Sequence, residues 1–466
     1  MAERIETDAV VLGAGTAGAN AALQLASRGL RVVLLERREL SAGGAQWHNA
    51  VLEWQFRRAG LEPPGETAGT AVTHMFGPGG ERGVSLPDPP TVKADMVALG
   101  HRLRSLAAEA GVEMFERCKA VRVELDGVRP VALRTEATPV SGGRSDEPPE
   151  AASRRMDLRA PLFVDASGLH GALRRQVPSL HHWCPPVRGN ELCTATDQTH
   201  EVRDPDGALR FLRDHGARPG DGVSILGTNG GFSTRGLTVS SDLTTVSVLV
   251  GCLANGRHGT GPAMLAELLE DQPWIGDAID GGSGVIPLRR TYARISAPGV
   301  ALVGDSACQV FPAHGSGIGM GLMAGTMLAE AVQGAGDPGA EEVLWDYQYS
   351  WHRDFGGALA AFDGFRRMST ALGSAGVAEL MGAGLMSEQM ARTGLDQLWA
   401  TPPPGDLPRM AARLARHPRL AARMLPMMAR GQVAGRLAGS YPETVDLRAL
   451  QRWDRRMSAV LGPLPG

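Results

Sequence analysis

Residues 13–18 read Gly-Ala-Gly-Thr-Ala-Gly, and their flanks leave the chain little choice of fold. Asp8 to Leu12 is a short apolar run with strand composition. Ala19 to Ser27 has helical composition and stops at Gly29, a residue suited to the left-handed backbone of a helix end. Leu30 to Leu35 is a second apolar strand, closed by Glu36. Strand, glycine turn, helix and strand make a βαβ unit of the dinucleotide-binding kind. Gly13 permits the tight turn, Gly15 lets the backbone approach a pyrophosphate, and Gly18 lets the helix lie close on the strand. The helix N-terminus offers N–H groups and a partial positive charge to the phosphates. Glu36, eighteen residues beyond Gly18, stands where an acid accepts both adenosine ribose hydroxyls, and its charge disfavours a 2′-phosphate.

Two later strand ends favour FAD over NAD. Leu162-Phe163-Val164 leads into Asp165-Ala166-Ser167-Gly168. Val300 to Val303 leads into Gly304-Asp305-Ser306-Ala307, and Pro312, Gly315, Gly317, Gly319 and Gly321 then open a small-residue helix reaching about Gln333. A carboxylate at a strand end suits a ribityl or ribose hydroxyl, and a glycine-rich helix start offers N–H groups to an electron-rich carbonyl. An NAD dehydrogenase has no use for this second site, whereas a reduced flavin carries negative charge around N1 and C2=O that a helix N-terminus stabilises.

These three segments together resemble the para-hydroxybenzoate hydroxylase-like flavoproteins, and within them the geranylgeranyl reductase branch, over residues 6–365. The resemblance implies an FAD-dependent oxidoreductase. Gly13, Gly15, Gly18 and Glu36 would hold the ADP half, Asp305 the ribityl side, and Gly315, Gly317 and Ile318 the flavin ring. It implies further cofactor contacts at Thr16, Ala17, Arg37, Gly44, Ala45, Val121, Asp165, Gly168, Gly304 and Pro312. Thr91 to Gly111 resembles the family's helix that opens on an FAD-contacting arginine; Lys93 occupies that place, a point charge instead of a fork. Gly171, three positions before Arg174, replaces a hydroxyl residue of the family in a segment tied to pyridine-nucleotide contact. The electron donor, NAD(P)H or a reduced carrier protein, therefore stays open. The paired-tryptophan WxWxIP motif of the halogenases is missing.

The resemblance implies a reductase that saturates carbon–carbon double bonds of an apolar, isoprenoid-like small molecule with hydride from flavin N5. The alternative is a monooxygenase that hydroxylates or epoxidises with oxygen trapped on the reduced flavin. A third reading, a flavin-fold escort protein without redox chemistry, sits badly with an intact dinucleotide motif. His314, between Pro312 and Gly315, and His48, after Trp47, are candidate proton donors, set against plain loop packing. Cys308 reads as a small buried thiol.

The fold class expected is α/β, with a Rossmann-like FAD domain around a parallel sheet, an antiparallel-sheet substrate domain and a helical C-terminal region. The FAD domain takes residues 1–174 with 299–340, interrupted by a Pro-, Gly- and Ser-rich loop near 139–153. The substrate domain takes 175–298, where Leu237-Thr238-Val239 and Thr245 to Val250 read as strands, and the helical region takes 341–466. A net charge of -3 gives no reason to expect nucleic acid. Five scattered cysteines without a CxxC pair argue against disulfides or a metal site and for a reducing cytoplasm. The polar start of the chain argues against a signal peptide, and the apolar stretch Ile318 to Val332 is too short and glycine-rich to be read as a membrane span. The tail holds Met381, Met386, Met390, Met410, Met424, Met427 and Met428, which either fill a core or line an adaptable apolar tunnel. The arginines from Arg409 to Arg430 either form a solvated face or make peripheral contact with anionic head groups.

Overall fold

A computed structural model describes residues 2–64, 70–140, 153–398, 405 and 407–462. After β1 (Glu3–Glu6), β2 (Ala9–Leu12), α1 (Thr16–Ala26) and β3 (Val32–Leu35) form the expected βαβ unit. Every residue of β2 and β3 is buried, which is why both read as unbroken apolar runs. An excursion follows through β4 (His48–Leu52), α2 (Glu53–Arg58), β5 (Val72–Phe76), β6 (Arg82–Pro87) and β7 (Thr91–Asp95). Helix α3 (Met96–Glu109) begins at Asp95, whose carboxylate accepts the N–H groups of Val97 and Ala98 at 2.9 and 3.0 Å. Next come β8 (Glu113–Asp126), β9 (Arg129–Val140), β10 (Arg154–Arg159), β11 (Leu162–Asp165) and the short α4 (Pro178–His181). The loop expected near 139–153 lies, apart from its ends, outside the described residues.

The chain continues through β12 (Leu192–Val202), α5 (Pro205–Asp214), β13 (Gly222–Leu226), β14 (Ser233–Val239), β15 (Thr245–Leu253), α6 (Gly261–Asp271) and β16 (Ile275–Pro287). It returns to the first sheet with β17 (Ser296–Ala297) and β18 (Val300–Leu302). Nine strands then stand in the order β1-β10-β9-β8-β3-β2-β11-β18-β17, with the neighbours β8, β3, β2, β11 and β18 parallel. A seven-stranded sheet, β16-β12-β15-β14-β13-β5-β6, is antiparallel except where β13 pairs in parallel with β5. Strands β5 and β6 thus reach this sheet from early in the chain, outside the 175–298 stretch from which its strands were expected. Val246, Val248 and Val250 of β15 are buried in a core with Leu265 and Leu268 of α6, while Thr245, Ser247 and Leu249 turn to the opposite face.

Helix α7 (Ile318–Val332) packs on α1: Asn20 Nδ2 donates to the Leu322 carbonyl at 2.7 Å, and a Cβ on Gly325 would stand 2.9 Å from the Ala21 nitrogen. The C-terminal layer is α8 (Glu341–Trp351), a π-turn at His352–Gly356, α9 (Gly357–Gly382), α10 (Glu388–Leu395), α11 (Leu407–Arg416), α12 (Pro418–Ala438) and α13 (Leu447–Leu461). Helix α9 kinks at Gly373, where φ is +65°. Among the described residues, no helix is long and apolar enough to cross a membrane.

Candidate active site

Four parallel strands, β2, β3, β11 and β18, end at one cavity of about 1860 Å³. Their carboxyl ends deliver Gly13, Glu36, Ala166 to Gly168, and Gly304 with Asp305 to its wall. That is where an open parallel sheet places ligands. The opposite wall is the exposed face of the seven-stranded sheet, including Asp197, Gly236, Leu249 and Gly251. The far end is closed by Met386, Met390, Met410, Met424, Met427 and Met428, so the tail methionines line a cavity as well as packing a core with Leu414 and Leu420.

The glycines are spatially required. Gly13 has φ +103°, and a Cβ there would stand 2.3 Å from the Ala166 carbonyl oxygen. A Cβ on Gly18 would fall 1.8 Å from the Gly13 oxygen, so Gly18 keeps α1 against the turn and does not itself line the cavity. Gly15 faces Gly44 across the loop, a Cβ on either lying 3.3–3.4 Å from the other's Cα. Glu36, 8% exposed, accepts the Ala14 and Arg38 N–H groups at 2.9 and 3.0 Å, which fixes its carboxylate at the end of β3. Beneath the turn, the buried Arg104 of α3 donates to the Ala14 carbonyl at 3.2 Å. Burial pulls its guanidinium below the usual value, and the charge of Glu36 counteracts this. No motif announces this strut; its only trace in the sequence is a cation on an otherwise apolar helix face.

Asp165 departs from expectation. Its carboxylate, fully buried, accepts from Ser167 N, Ser167 Oγ, Leu173 N and Arg174 N at 3.1, 2.6, 2.9 and 2.8 Å. It ties down its own loop and does not reach the cavity, which Ser167 and Gly168 line instead. Pro312 is likewise buried behind the wall. Asp305 does line the cavity, and burial pushes its carboxyl up to about 6 with no hydrogen bond from a described side chain or N–H to offset the cost. Beside it Gly317 caps α7 without a side-chain bond, just as Gly15 caps α1. Gly15, Thr16 and Ala17 line one end of the cavity's inner wall, and Gly315, Gly317 and Ile318 another. Two uncapped helix N-termini and an unsatisfied carboxylate suit a ligand with a diphosphate, hydroxyl groups and an anionic ring, as FAD has. Arg37, Gly44, Ala45, Val121 and Gly304 line the same cavity.

The candidate proton donors also reach it. His314 projects its exposed ring into the lumen, and the protein crowded around it lowers it to about 4. Its Nε2 lies 3.2 Å from the Gly394 carbonyl, which can only accept, so Nε2 carries the hydrogen and Nδ1 accepts from Ser316 Oγ at 2.9 Å. A neutral, doubly engaged imidazole is a weak acid. His48 Nδ1 lies 3.5 Å from Asp280 Oδ2, and the indole of Trp47 lies against β16, where a Cβ on Gly282 would come within 2.5 Å of the ring. Lys93 is on strand β7 and not at a helix start; its amine donates to Ser247 Oγ at 2.9 Å on the seven-stranded sheet. Near it is Asp197, which the sequence did not mark. Burial pushes its carboxyl up to about 7, with the Lys93 charge lowering it and Asp280 raising it. Cys308 is fully buried, and burial pushes its thiol up to about 11, which suits an inert packing residue.

Comparison with known proteins matches residues 8–67 to the FAD dependent oxidoreductase family. The chain is 28% identical over 377 residues to digeranylgeranylglycerophospholipid reductase 2 of Methanopyrus kandleri, covering 76% of this chain and 84% of that one. It is 25% identical to the menaquinone reductase of Mycolicibacterium smegmatis, over 74% of this chain and 79% of the relative. Its fold superimposes on a geranylgeranyl bacteriochlorophyll reductase-like protein of Thermoplasma acidophilum with a TM-score of 0.68 and 17% identity, over 91% of this chain and all of the other. Fold, cavity and relatives together define an FAD-dependent oxidoreductase. Within that class the likeness is to the geranylgeranyl reductase branch, as the three sequence segments implied.

Proposed function

We propose that this enzyme reduces carbon–carbon double bonds in an isoprenoid chain. The observation that carries the reading is the cavity itself: it runs without interruption from the glycine turn at Gly13 to the methionines of α10–α12. A compact polar substrate needs no such apolar depth, whereas a polyprenyl chain does. The relatives are named for a digeranylgeranyl lipid and for menaquinone, in keeping with such a substrate.

FAD, when bound, supplies hydride to the double bond. The residues of the chain do the rest. The N-terminus of α1 and Glu36 would hold the ADP half, Asp305 would accept a ribityl hydroxyl, and the N–H groups at the start of α7 would serve the flavin ring. The methionines and Leu249 align the chain and exclude water. Reduction also consumes a proton. Asp197, held near about 7, keeps a substantial protonated fraction at neutral pH and suits that task better than His314, which is neutral and held at both nitrogens. Electrons come from NAD(P)H or a reduced carrier protein.

The test is anaerobic incubation of dithionite-reduced protein with a geranylgeranyl lipid, read by mass spectrometry. Gain of two hydrogens per double bond, with reoxidation of the flavin, is expected. Insertion of oxygen on admitting air, with no hydrogenated product, overturns the reading in favour of a monooxygenase. Parallel mixing with NADH, NADPH and a reduced ferredoxin identifies the donor by bleaching of the flavin band.

A further inference from the structure

Helices α11 and α12 carry a charge pattern unlike the rest of the chain. Residues 407–438 hold seven arginines, Arg409, Arg413, Arg416, Arg419, Arg423, Arg430 and Arg436, and no aspartate or glutamate. With a net charge of -3 for the whole chain, every other residue together carries -10. All seven arginines are exposed. Arg413 and Arg423 donate to the carbonyls of Gly384 and Ala371, but no hydrogen bond or ion pair ties Arg416 or Arg419 to another described residue. Apolar side chains stand among them: Leu425 is 49% exposed and Val433 47%, beside exposed Ala422, Pro426 and Ala429. Arg419, Arg423 and Arg430 fall within about 40° of one another around α12. Arg409 and Arg413 both line the cavity and are solvent-accessible, which puts this helix pair at an end of the cavity that solvent reaches.

We propose that α11 and α12 form a docking surface for an anionic membrane and bring this end of the cavity to the lipid surface, so that a membrane-resident chain enters without crossing water. The proposal builds on the isoprenoid reading for its purpose and on the helix pair for its support. Arginines interleaved with exposed aliphatic groups suit a head-group layer, where the charge meets phosphate and the apolar groups sink into the acyl boundary. An acidic partner protein would match the charge but leave Leu425 and Val433 without purpose.

The experiment is sedimentation of the flavin-loaded protein with vesicles of phosphatidylglycerol and phosphatidylcholine, against vesicles of phosphatidylcholine alone. Binding is expected only to the anionic vesicles, weakening as salt is raised. The pair R416E/R419E, neither residue of which lines the cavity, is expected to weaken the partition by more than about tenfold while the flavin absorbance stays unchanged. Should the pair lose flavin, R416Q/R419Q decides in its place, with a smaller loss of the same sign. Equal binding to both vesicle types, or no binding to either, overturns the proposal. So does anionic binding that the arginine variants leave intact, or a variant defect seen only in reduction by an acidic electron carrier. None of these readouts involves turnover: failure to reduce a prenyl lipid leaves vesicle binding untouched, and the reverse.

Discussion

At the scale of single residues, a carboxylate divides the labour of this site. Asp165 and Asp305 both end parallel strands and look equivalent in the sequence. One is saturated by four hydrogen bonds from its own loop. The other receives none from the described residues and is pushed up to about 6 by burial. Motif spacing locates such acids, but only the path of the following loop decides which of them faces the ligand. The difference has a thermodynamic signature. The unfolded chain ionises Asp305 near 3.8 and the fold only near about 6, so stability falls as pH rises through that interval, and the full penalty persists above it. We expect D305N to stabilise the FAD-free protein by about 1–3 kcal/mol at about pH 8, with the gain closing toward about pH 4. The same substitution should weaken FAD binding at least about tenfold, since a carboxylate accepts a hydroxyl proton more strongly than an amide. Urea unfolding at the two pH values and flavin titration check both halves. A variant that is less stable and binds FAD normally would place the carboxylate in the fold's service instead.

At the scale of elements, the contact between α1 and α7 sets the site's width. Each helix aims an uncapped N-terminus at the cavity, and their backbones nearly touch through Ala17 with Gly321 and Ala21 with Gly325. G325V should cost about 1–3 kcal/mol by overpacking and should lower the flavin content of the purified protein. G336A, where an added Cβ meets nothing within 4 Å, is the control and should change neither. Thermal unfolding and the flavin-to-protein absorbance ratio read both. These two helices and the strands before them were legible because a strand buried on both faces, as β2, β3 and β18 are, writes an unbroken apolar run, and glycines punctuate it. Strands β5 and β6 were not legible. The parallel partner of β5, β13, lies about 150 residues further on, nothing in Val72–Phe76 announces a neighbour at that distance, and β6 joins the sheet only through β5. The error at Lys93 had a different cause. Strand β7 runs directly into α3, so composition blurred the two, although Asp95 was a helix-cap signal in plain view.

At the scale of the whole molecule, the C-terminal layer closes the cavity that the two sheets leave open, and polar groups buried beneath it hold it in place. Asp363 would be raised by burial alone, but Arg367 and Arg366 keep it well below the usual carboxylate range. Arg290 reaches from the end of β16 to Asp454 of α13 at 2.5 Å. His352, 2% exposed, stacks on Tyr441 at 4.3 Å between ring centroids, and its Nε2 lies 3.1 Å from the Tyr292 carbonyl, so it donates as a neutral imidazole. Burial, with Arg290 adding to it, pulls His352 down to about 3 from 6.5. The unfolded chain therefore takes up a proton below 6.5 that the fold refuses, and stability is lost as pH falls from there toward about 3. For this residue alone the slope is about 1.4 kcal/mol per pH unit in the middle of that window. His314, lowered to about 4, adds a second contribution over part of the same range, whereas the carboxylate of Asp363 matters only once the unfolded acid titrates near 3.8. Between about pH 6 and 5 the ion pairs of Asp363 are silent, but Asp305 and Asp197, raised by burial, titrate in the opposite sense to the histidines, so the measurement is urea unfolding of H352Q beside the parent protein at both pH values. H352Q keeps a donor for Tyr292 and cannot be protonated, so its slope should differ from that of the parent protein by about 1 kcal/mol per pH unit. If H352Q and the parent protein show the same slope, then His352 is charged inside the fold, and the layer over the cavity is held by a buried cation instead of a neutral ring.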